Sequence, residues 1–124
     1  MVMIFLFQYY LYNQDFDQIV LTAVCKIQKN HRNDNSALTL LLPYATADYT
    51  NNIERFLNLY NEVEISEKAF KAHPKAAIRI RNEEMVEKAD LIICYIEHDS
   101  GGAYKTIQYA VKQNKSIINL AEFL

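Results

Sequence analysis

Glycine is almost missing from this chain: two residues in 124, Gly101 and Gly102, and they are neighbours. A sequence so poor in glycine grants its backbone unusual freedom at one place, and that place needs a reason. Proline is as scarce, at two, and tryptophan is absent, so no proline- or glycine-rich linker or low-complexity segment interrupts the chain. The two cysteines, Cys25 and Cys94, are too few for a disulfide framework and lack metal-site spacing. Each lies inside an apolar run, so both are expected as buried, reduced thiols of a cytoplasmic protein. Basic residues show no surplus, with 13 Lys and Arg against 15 Asp and Glu for a net charge of -2. Nothing in that balance neutralises a run of phosphates, and no nucleic-acid partner is expected. No apolar run is long enough to span a bilayer. Residues 1–7 are apolar but have no basic segment before them and stop at Gln8, so they read as a buried first strand rather than a secretory leader, with no membrane partner.

What is present is ordinary for a globular protein: 51% hydrophobic and 23% charged residues. The length suits one domain over residues 1–124, with no room for a second core. Nine tyrosines and six phenylalanines are many for so small a core, and some must line a groove or a contact between copies.

Along the chain, strand and helix patterns alternate. Residues 2–7 form a continuous apolar strand. Asp15 and Gln18 make a capping box, and Ile19, Ala23, Val24 and Ile27 follow at helical spacing to about Lys29. Residues 30–36 are a polar loop. Residues 38–42 are a second strand, stopped by Pro43. Residues 45–49 read as a loop, with Thr50 capping a short helix whose apolar face is Ile53, Phe56, Leu57 and Tyr60. Residues 62–65 alternate as a third strand. Pro74 suits a first helical turn, and that helix carries Ala77, Ile78, Arg81, Met85 and Val86 to about Lys88. Residues 91–96 are the clearest strand. Gly102 opens a helix with Ala103, Ile107, Ala110 and Val111, and residues 116–120 form the last strand. This order predicts an α/β fold: a three-layer Rossmann-like or flavodoxin-like domain with a parallel sheet of about five strands.

In such sheets ligands bind beyond the carboxyl ends of the strands, which nominates the loops after the first, second and fourth strands. The loop Glu97-His-Asp-Ser-Gly-Gly102 is the most informative. Paired glycines at a strand-to-helix junction let backbone N–H groups face a ligand, and the helix dipole behind them favours phosphate or carboxylate. The competing explanation is a tight turn that merely needs glycine.

The segment Arg81-Asn-Glu-Glu-Met-Val-Glu-Lys-Ala-Asp-Leu-Ile-Ile-Cys-Tyr-Ile, then His98-Asp-Ser-Gly-Gly-Ala-Tyr-Lys-Thr-Ile-Gln-Tyr-Ala110 and Lys115-Ser-Ile-Ile-Asn-Leu120, resembles the SLOG superfamily. These are Rossmann-like domains related to DNA-processing protein A and to the lysine-decarboxylase-like, cytokinin-activating proteins. The resemblance is nearest to small bacterial and prophage members, and covers about 40 residues well. It implies a pocket for a nucleotide or a nucleotide-derived signal, with Gly101 and Gly102 approaching phosphate or ribose and Arg81 and Asn82 lining or bracing the pocket. Relatives usually carry glycines after the first strand; here that place reads Gln8-Tyr-Tyr-Leu-Tyr-Asn13. Either the ligand differs, or stacking on Tyr9 or Tyr10 replaces the phosphate cradle, or binding is lost.

Enzymes of this kind that cleave N-glycosidic bonds follow a comparable turn with a carboxylate on the next helix. Here that helix offers Lys105, Thr106 and Gln108, with no acid, and none of these can stabilise an oxocarbenium-like charge. Glu97 and Asp99 are the substitutes available to an N-glycosidase or phosphoribohydrolase reading; as solvated loop acids they do nothing. His98 is a possible hydrogen-bonding or acid–base group. His31 and His73 join no second ligand residue, so neither a metal nor a cofactor is expected. The expectation is therefore non-catalytic sensing or sequestering of a nucleotide-like small molecule, through Gln8, Tyr9, Tyr10, Arg81, Asn82, His98, Asp99, Ser100, Gly101 and Gly102. The alternatives are the glycosidase and a protein-interaction module whose pocket is filled by Tyr9 and Tyr10. Exposed aromatics and the edges of a parallel sheet add a homodimer or larger assembly to the expected partners.

Overall fold

A computed structural model describes residues 3–7, 21–23, 25–26, 29 and 37–123, the first stretch by its backbone. Its contacts group the chain into two compact units, Met1–Asp17 with Asn82–Leu124 and Gln18–Arg81.

The first unit holds a parallel three-stranded sheet in the order β1-β4-β5. β1 is Met3–Phe7, β4 is Leu91–Tyr95 and β5 is Ser116–Asn119. Phe7 lies opposite Tyr95 and Cys94 opposite Asn119, so the chain leaves β1 and β4 from the same carboxyl edge. β4, the middle strand, alternates half-buried Leu91, Ile93 and Tyr95 with fully buried Ile92 and Cys94. Burial raises the Cys94 thiol to about 11, with a smaller push from the Glu122 carboxylate.

Helix α5, Gly102–Lys112, covers one face of this sheet. Thr106 and Ala110, four apart, point inward and are buried. Together Val86, Ala89, Ile92, Cys94, Ile96 and Ala110 make the core, flanked by Met85, Ala103, Tyr104, Ile107, Tyr109 and Ile117. Asn114, at a φ of 57°, takes the left-handed conformation that ends the helix, and the Lys115 N–H closes back on the Ala110 carbonyl at 3.1 Å. A 3-10 turn, Leu120–Phe123, follows β5.

The second unit pairs β2, Thr39–Leu42, with β3, Glu62–Ile65, also in parallel. Helices α1, Ala47–Asn51, and α2, Ile53–Leu59, connect them. Thr46 caps α1 by accepting the Tyr49 N–H at 3.1 Å. Sequence placed residues 45–49 in a loop with Thr50 capping the helix of Ile53 to Tyr60; instead Thr50 lies inside α1, and α2 starts after Asn52 with no side-chain cap. The expected apolar face of α2 exists, but Ile53 and Leu57 are exposed and Phe56 and Tyr60 half-buried. Tyr49, Phe56 and Tyr60 form a ring column, with centroids 5.5 and 6.2 Å apart. Helix α3, Glu67–Phe70, is a turn that sequence did not foresee. Ser66, almost fully buried, caps it by accepting the Ala69 N–H at 3.1 Å.

Helix α4, Pro74–Lys88, has the expected bounds. Its residues to Arg81 belong to the second unit and those from Asn82 to the first. Residues 21–23, 25–26 and 29 are helical, in line with the helix expected to about Lys29; its capping box at Asp15 and Gln18 and the loop at 30–36 lie outside the described residues. Among the described residues the architecture is mixed α/β, and every strand pairing is parallel. The five described strands form a ladder of three and a ladder of two, not one ladder of five.

Candidate functional site

The site is assembled from the end of β4 outward. Beyond the last β4–β5 pair, Cys94 with Asn119, the Asn119 side chain continues the pairing. Its Oδ1 accepts the Ile96 N–H at 3.0 Å and its Nδ2 donates to the Ile96 carbonyl at 3.0 Å. The same Oδ1 accepts the Ala121 N–H at 3.2 Å. Asn119 was visible in sequence only as the end of the Ile-Ile-Asn strand, and a bond across 23 residues has no local signal.

Residues 97–100 then run exposed to the helix. The Tyr95 hydroxyl donates to Glu97 Oε1 at 2.7 Å, and this bond is the main reason the Tyr95 phenol stays protonated to higher pH. His98, Asp99 and Ser100 are exposed. Gly101 has φ 96° and ψ 175°, a region closed to L side chains at low cost. Gly102 has no such dihedral. Among the described residues, a Cβ on either glycine would meet nothing within 4 Å. Turn geometry thus accounts for Gly101, whereas neither strain nor crowding by a described residue demands Gly102.

Gly101 brings no side-chain oxygen to cap the helix. The first bond of α5 runs from the Lys105 N–H to the Gly101 carbonyl at 3.1 Å, ahead of which lie the amides of Gly102, Ala103 and Tyr104. No acid sits in this first turn; the carboxylate nearest in sequence is that of exposed Asp99, two residues before Gly101. An uncapped helix start at the carboxyl edge of a parallel sheet is chemically suited to an anion. The Thr106 hydroxyl donates to the Gly102 carbonyl at 2.9 Å, which spends that hydroxyl on the helix's own backbone.

The structure therefore brings His98, Asp99, Ser100, Gly101 and Gly102 together on one connection. Arg81 belongs to the second unit, where its Nη1 donates to the Leu41 carbonyl at 2.9 Å and ties α4 to the end of β2. Asn82 is half-buried on the same helix. Gln8, Tyr9 and Tyr10 lie outside the described residues.

Another residue escaped the sequence reading. Glu84 Oε2 is buried with no hydrogen-bond partner, while its Oε1 lies 3.4 Å from Lys88 Nζ. Its i,i+4 spacing to Lys88 reads as a solvated pair, and only packing reveals the unsatisfied oxygen. Nearby, Glu87 accepts the Tyr109 hydroxyl at 2.7 Å. Cys25 and Cys94 are both free thiols, half-buried and buried respectively. Among the described residues, no cluster of three or more His, Cys, Asp or Glu could hold a metal ion. No helix among them is long and apolar enough to cross a membrane. Comparison with protein-family models, with curated proteins and with solved structures finds no match to this chain.

Proposed function

We propose that this chain binds a nucleotide or nucleotide-derived small molecule and does not transform it, the ligand's anionic group resting on the uncapped start of α5. The reading carries with it a SLOG-like, Rossmann-like domain spanning residues 1–124. The observation that supports it most is Gly102: a glycine at a helix start without a positive φ and, among the described residues, without a crowding neighbour. Ligand approach gives a reason for glycine there that the turn itself does not. His98, Asp99 and Ser100 flank the same helix start and supply polar contacts for a base or ribose.

Hydrolysis fits less well. The helix after the glycines has no acid, its Thr106 hydroxyl is spent on Gly102, and Glu97 is held by Tyr95. Assembly with further copies belongs to the same proposal, supported by exposed Phe70 and Phe123. Free thiols at Cys25 and Cys94 agree with a reducing, cytoplasmic setting.

Thermal-shift titration with nucleoside mono-, di- and triphosphates, ADP-ribose and cyclic dinucleotides tests the binding reading. At least one should raise Tm in a concentration-dependent way. Gly102→Ala sharpens the assay. It should leave stability equal or higher by up to about 1 kcal/mol, because alanine suits a helix better than glycine, yet weaken the ligand at least tenfold. If no compound shifts Tm, or Gly102→Ala binds as tightly as the parent, the reading fails.

A further inference from the structure

We propose that Asn119 is the positioning residue of this site: its side-chain amide adds one rung to the β4–β5 ladder and fixes the point from which residues 97–101 leave the sheet. As a statement about a ligand this rests on the binding reading above; as a statement about the loop it stands on geometry alone.

Backbone pairing between β4 and β5 ends at Cys94 and Asn119. Ile96, two residues further, is 8% exposed, and its backbone N–H and carbonyl need partners. A primary amide is a surrogate peptide group, with one acceptor oxygen and an N–H donor on the same carbon. Asn119 presents both to Ile96, at 3.0 Å each. Its oxygen also takes the Ala121 N–H at 3.2 Å, so one side chain ties the end of β4 to the start of the 3-10 turn. Few other residues can substitute. Leucine keeps the shape and loses all three bonds, glutamine is one methylene too long, and aspartate keeps the acceptor but loses the donor when ionised.

The loop is consequently held at both ends. Its far end is the helix, anchored by buried Thr106 and Ala110. Its near end is Ile96, anchored by Asn119. Without the second anchor the glycines retain their conformational freedom, and the first-turn amides of α5 no longer face a fixed approach.

Amide hydrogen exchange and 15N-resolved spectra of the full chain, with Asn119→Ala and Asn119→Asp beside it, test this. In Asn119→Ala, exchange at Ile96 should speed up at least tenfold, the Gly101 and Gly102 resonances should move, and affinity for ADP-ribose should fall at least tenfold. Asn119→Asp carries the sharper readout. At pH 8 its carboxylate turns an oxygen toward the Ile96 carbonyl, and the variant should resemble Asn119→Ala. At pH 4 the protonated acid donates to that carbonyl as the amide does, and the variant should return to the parent's resonances. A role in packing alone would show no such rescue. Glu97, His98 and Asp99 on the loop and Glu122 on the turn are the ionisable neighbours, so the parent is measured at both pH values and subtracted; the Cys94 thiol beside Asn119, raised to about 11, stays protonated throughout. Unchanged Ile96 exchange and glycine resonances in Asn119→Ala, or an Asn119→Asp variant indifferent to pH, would overturn the proposal. A parent that fails to bind ADP-ribose and every other nucleotide sinks the binding reading alone, because exchange and resonance positions need no ligand.

Discussion

The two units of this molecule bury different things. The one built on β1, β4 and β5 closes over Val86, Ala89, Ile92, Cys94 and Ala110, all 0% exposed. The one built on β2 and β3 buries chiefly small residues, Ser66, Ala69 and Ala77, with Leu21 and Leu42. It leaves Ile53, Leu57, Leu59, Phe70 and Ile78 exposed. The sequences of both are similarly apolar, and the difference is cover. In the first, the middle strand has hydrogen-bonded neighbours on both sides and a helix across its face. In the second, the ladder has two strands, and α1 and α2 bury no residue at all. An apolar pattern is a request for a neighbouring layer, and only packing shows whether the request is met.

The contrast is broken most directly by truncating each region. Ile92→Ala should cost about 2–5 kcal/mol in denaturant unfolding, as an aliphatic side chain removed from a closed core does. Leu57→Ala, 53% exposed, should cost no more than about 0.5 kcal/mol. Comparable losses would mean that something covers α2 after all.

The closed core should also declare itself in alkali. The Cys94 thiol is raised from 9.0 to about 11, first by burial and then by Glu122. A raised acid favours the neutral form in the folded state. Its contribution is therefore complete below pH 9 and lost as pH climbs toward 11, by roughly 2 kcal/mol. Tyr95 and Tyr109 are raised too, through their bonds to Glu97 and Glu87, so the measurement is the slope of stability against pH in Cys94→Ala compared with the parent. The slope should flatten in the variant. An unchanged slope would mean that Cys94 is not sealed from water.

At the site, Gly101→Ala should lose about 1–2 kcal/mol in chemical unfolding, since a φ of 96° strains an L residue even where its Cβ meets nothing. Arg81→Ala sharpens the comparison from the other side. It leaves the Leu41 carbonyl short of a donor, and should cost about 1 kcal/mol while leaving the Gly101 and Gly102 amide resonances in place. Movement of those resonances would assign Arg81 to the glycine site rather than to bracing.

Much of this was legible before any coordinates. Pro74 marked the start of α4 and Gly102 the start of α5, because proline and glycine restrict or release the backbone at the residue itself. Leu91 to Tyr95 announced a buried strand by an unbroken apolar run. Thr46 was passed over as a cap because Thr50 offered a competing hydroxyl nearby, and Ser66 because a helix of four residues, Glu67–Phe70, leaves too short a periodic pattern to announce itself. Glu84 read as half of a solvated pair with Lys88, and its buried Oε2 emerges only once neighbours close around it. The glycine pair was recognised as the place of interest; that Gly101 meets a dihedral need and Gly102 does not required the backbone angles.

Strand, helix and turn assignments were written in the chain because their causes act within a few residues: periodicity, caps, and backbone freedom. The pairing of β1 with β4 across 88 positions, the reach of Asn119 to Ile96 and of Arg81 to Leu41 were not. Each joins groups far apart in sequence, and such bonds form only after folding has brought the ends together and removed their water, so no local pattern can encode them.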